Sequence, residues 1–239
     1  MFHPDGPSFF ELARQALSST TRGYDLLAPK FDHTPFRTPD ELLLPLADAI
    51  GPADSIGSAI DLCCGTGAVM RVLRPLCTDR VVGIDLSTGM LEEAARRLEQ
   101  APGAATVVLE VQDALAMEYD QQFDVATSCG AFGHVLHDDQ DNFAERVRNA
   151  LVANGRFVFV THPMPPLLSR AYLLSRAFNG AMHLRNALID PPFVMFYMTF
   201  PLERAHEVLE RHGFELDVRA PYAHTVYAPM RLVIATKRA

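Results

Sequence analysis

The stretch Ala59-Ile60-Asp61-Leu62-Cys63-Cys64-Gly65-Thr66-Gly67 decides the fold. It begins as a buried strand that ends in an acid, and it runs into a tight glycine turn. A helix pattern follows at once, from Ala68 to Leu73. A second apolar run, Val81-Val82-Gly83-Ile84-Asp85, also ends in an acid. Strand, glycine turn, helix and acid-tipped strand make the front half of a nucleoside-binding α/β unit. Gly65 and Gly67 lack Cβ, so backbone N–H groups there can approach a ligand closely. The helix that begins at the turn offers unpaired N–H groups and a positive dipole end to an anion.

The same rhythm continues along the chain. Strands are expected at 57–62, 81–85, 106–111, 123–129 and 156–161, with helices at 67–75, 88–100 and 140–152. Apolar strand runs separated by amphipathic helices imply a doubly wound, mainly parallel sheet covered on both faces. Ser87 is the expected cap of the second helix, and Asn154-Gly155 is expected to stop the third in a left-handed turn. Upstream, residues 1–51 read as a helical N-terminal cap, and 52–239 as the α/β domain. A helix is expected from Thr38-Pro39-Asp40-Glu41, with the Thr38 hydroxyl as its cap, to Gly51-Pro52.

After Phe157-Val158-Phe159-Val160 the rhythm breaks. Residues 163–200 are an insertion rich in aliphatic and aromatic side chains, with one helix expected from Leu167 to a stop at Asn179-Gly180 and a second, short one to about Leu188. The regular pattern resumes with a helix at 201–211 and strands at 214–219 and 232–236. The insertion reads either as a lid over the ligand crevice or as the surface of a homodimer. The lid is favoured, because a segment leaving the carboxyl end of the fifth strand rises over that crevice.

Bulk properties narrow the function. Of 239 residues 49% are apolar, enough for a full core, and the net charge is −8 with no Lys/Arg run. Nucleic acid is therefore not expected as a partner, since phosphate binding needs a basic footprint. Cys63, Cys64, Cys77 and Cys129 show neither Cys-x-x-Cys pairing nor zinc spacing, so no metal is expected, and a reducing cytoplasm fits them best. The residues from Met1 to Phe10 lack a basic start and an apolar run, so a signal peptide is not expected, and no segment is long enough to span a bilayer.

The acids identify the ligand class. Asp85, 20 residues beyond Gly65, can accept from a ribose diol. Asp113, just past the third strand, can accept from an exocyclic adenine amine. A nicotinamide dinucleotide needs a third glycine in G-x-G-x-x-G, and Met70 stands there. Asp61 instead suits a ligand with an ammonium group, which S-adenosylmethionine (SAM) carries.

The segments IDLCCGTG (60–67), VVGIDLSTGML (81–91), VQDAL (111–115), FDVATSCGAFGHV (123–135) and RNALVANGRFVFV (148–160) resemble, in order, the motifs of a class I SAM-dependent methyltransferase. The resemblance covers roughly 24–160 and, more loosely, 201–237. It implies a seven-stranded Rossmann-like sheet with one antiparallel strand near the C-terminus. It also implies that Asp61, Gly65 and Gly67 hold the methionine end, that Asp85 takes the ribose, and that Leu86 and Met90 pack near the adenine. Asp113 and Ala114 would meet the adenine edge, Cys129 and Gly130 would floor the cavity near the sulfonium, and Tyr24 would close over the cofactor. Cys63 departs from the family pattern, which more often has a glycine there, and the Cys-Cys-Gly-Thr-Gly form is similar to quinone-type C-methyltransferases. The expected substrate is a small, largely hydrophobic molecule accepting at oxygen, nitrogen or carbon. His134 is the first candidate for a general base, with His137 and His162 next. The alternatives are SAM-promoted cyclisation or decarboxylation, a non-catalytic SAM-binding partner or sensor, and an NAD(P)-dependent oxidoreductase.

Overall fold

Seven strands form one sheet in the order β3-β2-β1-β4-β5-β7-β6. They are β1 Ile56–Leu62, β2 Cys77–Asp85, β3 Thr106–Val111, β4 Phe123–Ser128, β5 Leu151–Thr161, β6 Phe214–Arg219 and β7 Arg231–Lys237. The computed structural model describes residues 4–238. Met1 to His3, the start of the expected N-terminal cap, and Ala239 lie outside the described residues. The pairs β2–β3, β1–β2, β1–β4 and β4–β5 are parallel, and β7 runs antiparallel between β5 and β6. The strand order reverses at β1, whose neighbours are β2 and β4. A crevice opens at such a point, beyond the carboxyl ends of the strands.

Alternation along each strand sends successive side chains to opposite faces. Ala59 and Val81 join the core under α3 (Asp40–Ile50), α4 (Ala68–Leu73) and α5 (Thr88–Leu98). Ile60 and Val82 join the core under α6 (Gln140–Ala150) and α8 (Leu202–Arg211). That second core is aromatic, with the Phe157 and Phe159 rings stacked 4.7 Å apart. Ser87 caps α5 as expected, its hydroxyl accepting from the Met90 amide. Leu42, Leu46 and Ile50 are buried against the sheet, so α3 packs as part of the α/β core. Ahead of it, α1 (Phe9–Ala16), α2 (Thr20–Leu27) and a 3-10 turn at 28–33 lead to the ligand end of the sheet.

Three local expectations are corrected. The helix at 140 stops at Ala150, because the amides of Gln121 and Gln122 take the carbonyls of Asn149 and Ala150. Asn154 is left-handed as expected, at φ 60°, but it lies inside β5, where the register with β4 shifts. The second correction concerns Thr38. The first residue of α3 is Asp40, and no side chain caps it. The third concerns the insertion, where one helix, α7 (Arg170–Leu188), runs through Asn179-Gly180 unbroken. Asn179 spends its amide on the backbone of Tyr197, donating to its carbonyl at 2.9 Å and accepting from its N–H at 2.8 Å. A side chain held that way has no need of the left-handed cap conformation.

Gly83 sits mid-strand in β2 beneath α4, and a Cβ there would lie 2.3 Å from Met70 Sδ and 2.9 Å from Cys64 Sγ. Gly83→Ala should therefore lower stability by about 1–3 kcal/mol through overpacking. Urea unfolding should show a lower midpoint with an unchanged slope.

Candidate functional site

The glycine turn is held from both sides. Cys63, Gly65 and Gly67 are all left-handed, at φ 55°, 53° and 80°. Cys63 thus takes a backbone form that glycine adopts freely, at a cost of about 1–2 kcal/mol. The Cys64 amide donates to Ile84 O, and the Gly65 amide donates to Asp85 Oδ2 at 3.0 Å. The other Asp85 oxygen accepts from the Ser87 amide at 2.9 Å. Burial pushes the Asp85 carboxyl up, while the amide bonds pull it back toward the ionised form. A Cβ on Gly65 would touch nothing and would stand in the open crevice.

Asp61 ends β1 and is 1% exposed. Thr127 Oγ1 donates to its Oδ1 at 2.8 Å, and its Oδ2 has no partner. Burial raises its pKa to about 7, against the usual carboxylate range. A buried, unpaired carboxylate oxygen is the feature an ammonium group would satisfy, so the residues present fit the methionine end of SAM.

These groups line a cavity of about 670 Å³. Every cofactor residue expected from the sequence borders it: beside Asp61, Cys63, Gly65, Gly67 and Asp85, the walls include Tyr24, Leu86, Met90, Asp113, Ala114, Cys129 and Gly130. Asp113 Oδ1 accepts from the Leu115 amide, which orients its carboxylate. Neighbouring Gln112 leaves a buried Oε1 without a partner. Burial pushes the Cys129 thiol up, so it remains a protonated wall residue. Among the described residues no cluster of ligating side chains could hold a metal ion.

The sequence reading missed most of the N-terminal contribution. Asp25 accepts from Ser87 Oγ at 2.6 Å and from the Gly89 amide at 3.0 Å. Asp32 accepts from Thr66 Oγ1 at 2.7 Å and also pairs with Arg97. Two aspartates thus tie the segment before α3 onto the glycine turn and onto α5. Nothing in their local sequence announces contacts across 34 and 62 residues.

The three histidines separate. His134 is half-buried at the cavity wall; its Nδ1 lies 2.5 Å from Val194 O and its Nε2 2.9 Å from the Tyr24 hydroxyl. Since a carbonyl can only accept, Nδ1 carries the proton and Nε2 is the acceptor. Burial lowers the His134 pKa and raises that of Tyr24, so the pair is a neutral imidazole and a protonated phenol. His162 borders a second cavity of about 260 Å³. His137 is exposed, lines neither cavity, and is not brought to the site.

The second cavity shares Cys129, Gly130 and His134 with the first, and its own walls include Phe132, Met195, Phe196 and Met198. A third cavity, of about 960 Å³, lies between α1 and α7 and reaches Tyr24 past Phe178, Met182 and Phe193.

Comparison with known proteins agrees with this geometry. A family model described as a methyltransferase domain matches residues 59–155. The chain is 26% identical over 168 residues to the demethylmenaquinone methyltransferase of Lactobacillus johnsonii, which covers 66% of this chain and 67% of that one. It is 24% identical over 173 residues to cyclopropane mycolic acid synthase 3 of Mycobacterium tuberculosis, covering 70% of this chain but only 58% of that protein's length. The solved DhpI–SAH complex shares the fold, with a TM-score of 0.66 and 20% identity over 97% of this chain and 99% of that one.

Asp61 carries a pH signature. Its pKa is higher folded than unfolded, so the folded state holds the extra proton, and stability falls as pH rises from about 4 toward about 7. Asp61→Asn should flatten that part of the ligand-free stability profile, read as the wild-type minus variant difference in urea unfolding. The same variant should weaken SAM binding by about 30-fold or more in calorimetry at pH 8, because it removes one partner of a buried charge pair.

Proposed function

We propose that this chain, a class I SAM-dependent methyltransferase, moves a methyl group to a small, largely hydrophobic acceptor. The observation that carries this reading is the second chamber. It is walled by aromatic and methionine side chains and joins the cofactor cavity at Cys129, Gly130 and His134. Apolar pockets with a few placed polar groups are the usual form of a small-molecule site.

When bound, SAM would supply a methyl group activated on a positively charged sulfur, with the neutral thioether as leaving group. The chain's own residues would bind and align it. Asp61 would receive the ammonium, and Gly65 and Gly67 would leave room for the methionine end beside the amides of the turn. Asp85 would accept from the ribose while it holds the turn through Gly65. Asp113 and Ala114 would meet the adenine edge, with Leu86 and Met90 against the ring. Cys129 and Gly130 floor the junction between the two chambers.

His134 stands at that junction as a neutral imidazole whose Nε2 accepts from the Tyr24 hydroxyl. An acceptor X–H that replaces the Tyr24 hydroxyl at Nε2 would give up its proton there. The Val194 carbonyl, which accepts from Nδ1, then faces the positive imidazolium and steadies it. Tyr24, stacked on Phe193 at 6.2 Å, covers the chamber and excludes water. His162, across the second chamber, orients the far end of the acceptor.

The direct test is mass spectrometry of a panel of hydrophobic phenols, quinols and fatty acids incubated with the protein and SAM. A product heavier by one methylene unit is expected from a hydrophobic member. Methylation confined to polar amines or nucleic acid, with SAM bound, would overturn the acceptor class. On the acceptor that turns over, His134→Gln should lower kcat by about 10²–10³-fold, in the range for a general base, while the SAM Kd stays within about threefold. Tyr24→Phe should cost less, because the base keeps its tautomer through Val194.

A further inference from the structure

The outward face of α7 is more apolar than its role in the fold requires. The helix has 19 residues, none of them buried, and is about 28 Å long. Its inner face does the holding. Asn186 pairs with the backbone of Phe193 at 2.9 and 3.1 Å, and Arg185 donates to Ala16 O and Ser18 O at 2.9 and 2.8 Å. Phe178 and Met182 line the cavity beneath. The leucines point the other way: Leu173, Leu174, Leu184 and Leu188 are 50%, 61%, 62% and 75% exposed. Leu167 and Leu168, in the turn that leads into the helix, are 76% and 78% exposed. The neighbouring α1 adds Phe9 and Phe10, 72% and 82% exposed.

The charge within α7 itself has one sign. Residues 162–189 hold Arg170, Arg176 and Arg185 and no Asp or Glu, in a chain of net charge −8. Arg170 and Arg176 are exposed, and among the described residues neither side chain makes a hydrogen bond or ion pair. Exposed leucines beside arginines, with no acid between them, suit the boundary between lipid headgroups and acyl chains. A second copy seated on the same face would bring together two sets of arginines with no acid in the helix to pair them.

We propose that α7, with the Leu167–Leu168 turn, docks onto an anionic lipid surface. The leucines enter the headgroup boundary, and Arg170 and Arg176 meet the lipid charges. The helix lies in that plane; no described helix is long and apolar enough to cross a membrane.

Vesicle co-sedimentation of the full chain tests it without turnover. Binding to phosphatidylcholine vesicles that contain phosphatidylglycerol should exceed binding to phosphatidylcholine alone by about tenfold at low ionic strength, and salt should reduce it. The pairs Leu173→Glu/Leu184→Glu and Arg170→Gln/Arg176→Gln should each cut that binding about tenfold while SAM affinity, the measure of correct folding, is unchanged. Absence of binding, equal binding to both vesicle types, or full binding by both variant pairs would overturn the proposal. So would a wild-type dimer in light scattering that Leu173→Glu/Leu184→Glu converts to monomer, since the face would then belong to a second copy.

Discussion

Asp61 sits at the buried end of β1 with Thr127 on one oxygen and nothing on the other. Taking a carboxylate out of water costs several kcal/mol, and one hydrogen bond does not return it. The molecule meets this partly by raising the Asp61 pKa to about 7, so that part of the population carries a proton instead of a bare charge. The residual strain sits where the strand order reverses and the crevice opens. An unsatisfied acid there is costly to the empty protein and useful to a bound cation. The two packed faces of the sheet provide the stability that permits it.

Asp85 does a second job in the same place. One oxygen holds the Gly65 amide and the other the Ser87 amide, so one side chain sets both the glycine turn and the start of α5. The N-terminal segment then closes the site by the same chemistry. Asp25 reaches Ser87 and Gly89, and Asp32 reaches Thr66 and Arg97. Tyr24, His134 and Val194 come from three distant parts of the chain and meet in one hydrogen-bonded line. The two cavities meet at that line, so a change in the N-terminal segment or the insertion is felt at the imidazole.

The parts that were legible in the sequence rest on local rules. Strand and helix positions followed from periodicity, and the Ser87 cap and the left-handed Asn154 from side-chain chemistry within a few residues. That these residues would line one cavity was legible because the tips of parallel strands share one edge, so an acid at the end of one strand lies near an acid at the end of the next. The errors have the same explanation in reverse. Asn179-Gly180 looks like a helix stop until Tyr197 supplies the backbone that Asn179 binds. His137 lies three residues from His134, yet a 3-10 turn carries it to the exposed surface.

The amino-acid sequence by itself determined the doubly wound sheet, the glycine turn and the chemical class of the ligand, because each depends on spacing within one strand–turn–helix unit. Only the tertiary structure decided which histidine borders both cavities, how the N-terminal aspartates seal the turn, and where the apolar chamber lies. Those features come from contacts across roughly 35 to 110 residues. Such contacts form only once the sheet has placed the segments side by side, and no local pattern of residues encodes the distance between them.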